Sequence, residues 1–256
     1  MLLNFRRAVG FLTRFPVRAP VDDMNDLAGA VPWMPTVGAI LGLAVGTSYY
    51  GLHAVLPPLP SAAIAVAIGL LFSGALHEDG LGDIADAFGG GMEPDAVVRI
   101  MKDSRQGTFG VLALVSSFVI HVTLISSLPA VTALLVLVAA GALSRATSTG
   151  LMGIAEPSPQ PGMHLALVEA LRPWQTVVAV VSGSSLAGLV LGGWIVPAMV
   201  LCAVVAGSMA RLARHKMGGV SGDVYGATQQ LAEIVVLMVA VAVATKAWPA
   251  LLSQLR

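Results

Sequence analysis

Cysteine is almost absent: Cys202 is the only one, and it lies in an apolar run. That excludes a disulfide framework and a cysteine-based zinc site. Charge is scarce too, at 11% of residues, where a soluble domain carries about 25%. The formal net charge is zero, so nothing argues for nucleic acid and no nucleic-acid partner is expected. Walker A, GxSxG and HExxH motifs are missing, which leaves ATP-driven work and serine hydrolysis without support. Period-two alternation is missing as well. What remains is apolar: 56% of 256 residues are hydrophobic. This is a membrane composition, and a backbone in lipid must satisfy its own hydrogen bonds, which makes helices the default.

A helical span needs about 20 mostly apolar residues. Candidates lie near 31–50, 58–76, 107–128, 130–150, 174–192, 194–211 and 229–248. The expected fold is therefore an all-α, polytopic membrane bundle of about seven transmembrane helices, forming a single domain over 1–256. Arg6, Arg7, Arg14, Arg18, Arg99, Lys102, Arg105, Arg172, Arg211, Arg214 and Lys216 then all fall on one side, opposite Lys246 and Arg256. The positive-inside rule makes that side cytoplasmic. Residues 1–20 are basic but lack an apolar core long enough for a cleaved signal peptide. They read as an amphipathic helix on the inner leaflet, with the lipid bilayer as partner.

The acids gather in the same polar loops. Asp22, Asp23 and Asp26 in "VDDMNDLAGAVP" (21–32) lack a supporting pattern and read as a solvated linker. The stretch around "HEDGLGDIADAFGGG" differs, for it packs Glu78, Asp79, Asp83 and Asp86 together. At about 100° per residue, a helix over 79–86 puts Asp79, Asp83 and Asp86 on one face, within about 40° of Asp79. Like charges at that spacing oppose the helix, and Gly80 and Gly82 weaken it further. A divalent cation would relieve the repulsion, and hard carboxylate oxygens suit Mg²⁺ or Mn²⁺. His77 falls on the opposite face from Asp79, where it caps or packs, and His121, mid-span, is expected to make an interhelical hydrogen bond.

A second stretch, "RIMKDSRQGTFG" (99–110), carries Lys102 and Arg105, which can grip phosphate. Asp103 can add a metal ligand or orient Arg105. Gly107 and Thr108 open a helix, whose free N–H groups attract anions. In the third, residues 214–234, Asp223 sits in a glycine-rich loop before Gln229, Gln230 and Glu233. Gln229 and Glu233, four apart, share an interior face. A carboxylate near the bilayer is expensive, and Arg145 is its candidate partner or a substrate ligand. Acids, a divalent metal and basic groups on one membrane face describe a site for phosphate esters.

Five blocks, "FLTRFPV" (11–17), "HEDGLGDIADAFGGG" (77–91), "IMKDSRQGTFG" (100–110), "LSRA" (143–146) and "GGVSGDVYGATQQLAEIVVL" (218–237), closely resemble the adenosylcobinamide-GDP ribazoletransferases, or cobalamin-5′-phosphate synthases. The likeness runs from about residue 5 to 240 in family order. It implies a Mg²⁺-dependent phosphotransferase of the bacterial cytoplasmic membrane, working at the inner face. Its substrates would be adenosylcobinamide-GDP and α-ribazole or α-ribazole 5′-phosphate, and its products adenosylcobalamin or its phosphate, and GMP. The family's H-x-D-G-x-x-D block falls on His77, Asp79, Gly80 and Asp83, with Asp86 beyond. The resemblance thus assigns Asp79, Asp83 and Asp86 to Mg²⁺, and Asp83 also to the general base. Glu78 joins them where the family tolerates an apolar residue. Lys102, Asp103, Ser104, Arg105 and Thr108 match the block assigned to the diphosphate, and Asp223 is placed on a second metal or the ribazole ribose. Arg145, Gln229, Gln230 and Glu233 complete the candidate substrate-binding set. Gly82 stands where alanine is usual, and 151–172 matches poorly and receives no role. A homo-oligomer, or association with other corrinoid enzymes, is compatible with this reading.

Two other classes are weighed. A CDP-alcohol phosphotransferase also uses an interfacial aspartate cluster, but its pattern has an arginine after the first D-G segment that is missing here. A transporter would carry buried charges along several broken helices, whereas these acids gather at one face.

Overall fold

The computed structural model describes residues 1–91, 93–103 and 105–244. Among them the fold is helical throughout, apart from short turns and an isolated bridge between Pro157 and Val220. Twelve α-helices follow in order: α1 (Leu2–Leu12), α2 (Met24–Ala28), α3 (Met34–His53), α4 (Pro58–Ser73), α5 (Leu76–Gly90), α6 (Pro94–Met101), α7 (Thr108–Ser126), α8 (Ala130–Ile154), α9 (Met163–Ala170), α10 (Pro173–Leu191), α11 (Ile195–Met217) and α12 (Gly222–Ala244).

Each expected span coincides with a helix. The last begins earlier than expected, at Gly222, and its end at 245–248 lies outside the described residues. Among the described residues, five helical stretches are long and apolar enough to cross a membrane, or six when α4 and α5 count as one bent span. One of these stretches, Pro173–Met217, is 45 residues long and contains both α10 and α11. Gly192, at φ 56°, breaks it between them.

Helix α8 is the centre of the bundle, packed by α3, α10 and α12. Its contact with α3 is backbone against backbone. A Cβ on Gly38 would lie 2.1 Å from the Gly141 carbonyl oxygen, and one on Gly42 would lie 2.0 Å from that of Leu137. Without hydrophobic drive in lipid, such close approach supplies the van der Waals contact that holds helices together. Leu137, Leu143, Val236 and Leu237 fill the core beside it.

The stretch 21–32 is not the solvated linker the sequence suggested. Asp23 caps α2 by accepting from the Asp26 N–H at 3.0 Å. Arg7, buried on α1, pairs with Asp26 at 2.6 Å and donates to the Pro20 carbonyl at 2.8 Å. These contacts pin α1 to α2 over a core of Ala8, Leu12, Leu27 and Val31. At the start of α1, Leu2 and Leu3 are exposed.

The turn that matters most follows α4. Gly74 and Ala75 both adopt positive φ, 66° and 55°, and the chain bends by 94° into α5. Alanine in that region costs of order 1 kcal/mol, a strain typical of functional segments. The bend lays α5 across the end of the bundle instead of along it.

Candidate active site

The expected 79–86 helix is the middle of α5. Its glycines bring it against the start of α12: a Cβ on Gly80 would meet the Asp223 carbonyl oxygen at 2.9 Å, and one on Gly226 the His77 Cα at 3.4 Å. This contact places Asp223 beside the α5 carboxylates. Asp83 is pushed up to about 6, first by burial and then by the negative charges of Asp79 and Asp223. Among the described residues, none of these three aspartates forms an ion pair.

Asp86, expected beside Asp79 and Asp83 as a metal ligand, has another partner. It is 9% exposed and accepts from the Gly107 N–H at 2.6 Å and the Gly110 N–H at 2.8 Å. The anion that the start of α7 attracts is therefore the protein's own carboxylate. Glycine is required at both positions, since a Cβ there would lie within 2.5 Å of an Asp86 oxygen. Next to this cap, Gln106 Nε2 donates to Asp83 Oδ1 at 3.0 Å. A Cβ on Gly82 would meet the Gln106 amide oxygen at 2.9 Å, so the glycine that departs from the family pattern leaves room for this contact.

The basic loop stands in solvent beside that cap. Asp103 orients Arg105 through a forked contact, 3.0 Å to Nε and 2.7 Å to Nη2, and the bond holds the Asp103 carboxyl down to about 2. Arg105 has 86% of its side chain exposed, and Lys102 and Thr108 are exposed as well. Ser104 lies outside the described residues.

A buried network joins α5, α8 and α12. Arg145 pairs with Glu233 at 3.3 Å, the partnership that the sequence left open against a substrate role. Gln229, fully buried, donates to Ser144 Oγ at 3.0 Å and to Glu233. Gln230 reaches across to Glu78 Oε1 at 2.8 Å. Glu78 thus faces the bundle and not the aspartates. His121 corrects an expectation: its Nδ1 lies 2.9 Å from the Ser117 carbonyl on its own helix, so the contact is within α7 and not between helices.

A cavity of about 190 Å³ opens where α5, α8, α9 and α12 meet, and Asp79, Asp223, His77, Arg145, His164 and Tyr225 all line it. His77 therefore shares a cavity with Asp79, which opposite faces of an isolated helix did not foretell. His164 is new. It sits in the 151–172 segment, which received no role and left no pattern to find it by. That segment is held down by paired bonds, Ser158 N–H to the Val220 carbonyl and Val220 N–H to the Glu156 carbonyl, each 2.9 Å. Tyr225 lay inside a recognised block, and its buried hydroxyl has no hydrogen-bond partner among the described residues.

No group of three or more His, Cys, Asp or Glu is gathered closely enough to cage a metal among the described residues. Mg²⁺ rarely needs such a cage. It keeps several waters and takes one or two carboxylates plus substrate phosphates. Exposed Asp79 with partly buried Asp83 and Asp223, none of them ion-paired, is a donor set of that kind.

The family model described as Cobalamin-5-phosphate synthase matches residues 4–241. A protein of Azorhizobium caulinodans named adenosylcobinamide-GDP ribazoletransferase is 37% identical, over 93% of this chain and 95% of its own. Proteins of the same name from a Sinorhizobium species and from Brucella ovis are 39% and 40% identical, over 90% and 91% of this chain and 93% and 94% of theirs. No solved structure matches at a significant level. The chain belongs to the cobalamin-5-phosphate synthase family.

Proposed function

We propose that this chain joins adenosylcobinamide-GDP to α-ribazole or its 5′-phosphate, releasing GMP, in a late step of cobalamin biosynthesis. The observation that carries the reading is the match to the family over residues 4–241. The site supports it, with aspartates free of ion pairs on two helices and a basic loop beside them.

A ribose hydroxyl attacks the phosphorus that bears the cobinamide. One P–O bond forms, the bond to the bridging diphosphate oxygen breaks, and GMP leaves. Asp83, whose carboxyl is raised by burial and by the charges of Asp79 and Asp223, takes the hydroxyl proton. Asp79 and Asp223, with Asp83, would hold Mg²⁺, which when bound would neutralise charge on the diphosphate. Lys102 and Arg105 draw the diphosphate in, and Asp103 keeps the Arg105 fork oriented. Asp86 and Gln106 set the distance between this loop and α5.

In the proposed topology α3, α4, α7, α8, α10, α11 and α12 each cross the bacterial inner membrane, with α5 and the basic loop at the cytoplasmic face. The excess of arginine and lysine on that side supports it.

The test is GMP release by purified protein given both substrates and Mg²⁺, beside Asp83→Asn. Release by the wild type alone is expected, together with loss in excess chelator and recovery with Mg²⁺. No release from folded wild-type protein would overturn the reading, and full activity in chelator would remove the metal from it.

A further inference from the structure

A second cavity, of about 440 Å³, lies inside the bundle between α3, α4, α7, α8 and α12. Its size falls within the range of small-molecule sites, about 300–1,000 Å³. Val45, Val66, Leu114, Val115 and Phe118 make its walls apolar. Its polar end is built from Glu78, Gln230, Glu233 and Arg145. Arg145 lines this cavity and the one that holds Asp79 and Asp223, so the two adjoin through a single guanidinium.

Two atoms at the polar end have no hydrogen-bond partner among the described residues, Glu78 Oε2 and Arg145 Nε. Arg145 is 6% exposed, and its bonds run through Nη1 alone, to the Gly141 carbonyl, Ser144 and Glu233. A hydrocarbon occupant would leave both atoms unpaired in a medium of low dielectric, where that is costly. A strongly polar solute would lose its water against the apolar walls. One chemistry that meets both demands, and that the transferase reading supplies, is an apolar aromatic group with a hydrogen-bond acceptor at one edge and a hydroxylated neighbour. The edge of the cavity faces lipid as well, since Val115 is 56% and Phe118 36% exposed on α7, so an apolar ring can enter from the bilayer.

We propose that this cavity binds the aromatic-base half of the acceptor nucleoside, a fused apolar bicycle with a ring nitrogen. Arg145 Nε–H donates to that nitrogen, and Glu78 Oε2 accepts from a hydroxyl of the attached sugar. Arg145 lines both cavities, so the sugar end of the acceptor is held on the side that adjoins the cavity of Asp79 and Asp223. The proposal rests on the transferase reading above and adds where, and from which side, the acceptor is held.

The test uses the full-length protein and benzimidazole itself, without sugar or phosphate. Equilibrium dialysis should show saturable binding to wild type and to Asp83→Asn. Val66→Phe, which fills the cavity, should weaken binding at least tenfold. Val115→Trp should do the same from a lipid-facing position where no core is disturbed. In steady state both variants should raise KM for the ribazole substrate at least tenfold and leave KM for the GDP-bearing substrate unchanged. Absent binding, binding that neither variant weakens, or unchanged KM in both would overturn the proposal, while GMP release would still stand for the transferase. Benzimidazole binding that the variants abolish, in a protein that releases no GMP, would uphold a base-binding cavity and sink the transferase. A tightly held acyl chain, found by mass spectrometry in wild type and lost in Val66→Phe, would make this a lipid site and overturn the proposal.

Discussion

Arg145 on α8 and Glu233 on α12 form an ion pair 3.3 Å long inside the bundle, with 8% and 18% of their side chains exposed. The pair ties together two helices that both reach the candidate site. Removing one partner leaves a buried charge uncompensated, which costs about 3–5 kcal/mol in such settings. Arg145→Met is therefore expected to lower the thermal unfolding temperature in detergent by many degrees, and Arg145→Met with Glu233→Leu to recover part of the loss. A double variant no better than the single one would mean that the two residues do not stabilise each other.

Without metal, burial and the charges of Asp79 and Asp223 push the Asp83 carboxyl up to about 6. Below that pH a proton competes with Mg²⁺ for the carboxylate, so the Mg²⁺ concentration needed for half-maximal GMP release should rise as pH falls through about 6. The stability of the metal-free protein runs the other way. A carboxyl raised on folding favours the folded state below its unfolded value, about 4, and that contribution is lost as pH rises through about 6. Asp83→Asn should thus melt higher than wild type at pH 8 without Mg²⁺, with the gap closing below about pH 4. A gap independent of pH would show that charge is not its cause.

Asp86 is expected to act as the cap of α7 and not as a reacting group. Asp86→Ala should cost about 1–2 kcal/mol of stability, the usual range for a lost cap. Asp86→Asn keeps an acceptor and should cost less, with measurable GMP release retained. Complete inactivation of a stable Asp86→Asn protein would instead put this carboxylate at the diphosphate.

At Gly42 an added methyl would sit 2.0 Å from the Leu137 carbonyl oxygen, whereas at Gly207 nothing lies within 4 Å. Gly42→Ala should force α3 from α8 and sharply reduce yield of folded protein, and Gly207→Ala should be silent. Size-exclusion profiles of the two variants decide the matter, with equal profiles counting against the close crossing.

The proposed topology puts exposed Gly193 and exposed Asp95 on opposite sides of the membrane. Cys202, buried, contributes little background. In intact cells a membrane-impermeant maleimide should label Gly193→Cys from outside and leave Asp95→Cys unlabelled until lysis. The reverse pattern would invert the protein.

Much was legible in the sequence. Scarce charge and long apolar runs dictated helices in lipid, because lipid offers a backbone no other partners. The positions of the expected spans agree with α3, α4, α7, α8, α10, α11 and α12 because hydrophobicity is a local property of each segment. The acidic face of α5 followed from helical periodicity alone, and the family from the five motif blocks. Tertiary structure decided which groups meet. It turned Asp86 toward the α7 N–H groups and Glu78 toward Gln230. It also brought Asp223 and His164 into one cavity with Asp79. Those outcomes depend on the 94° bend at Gly74 and Ala75 and on glycines that let α5 touch α12. Periodicity within one segment describes which residues share a face. What that face opposes is set by contacts between segments far apart in the chain.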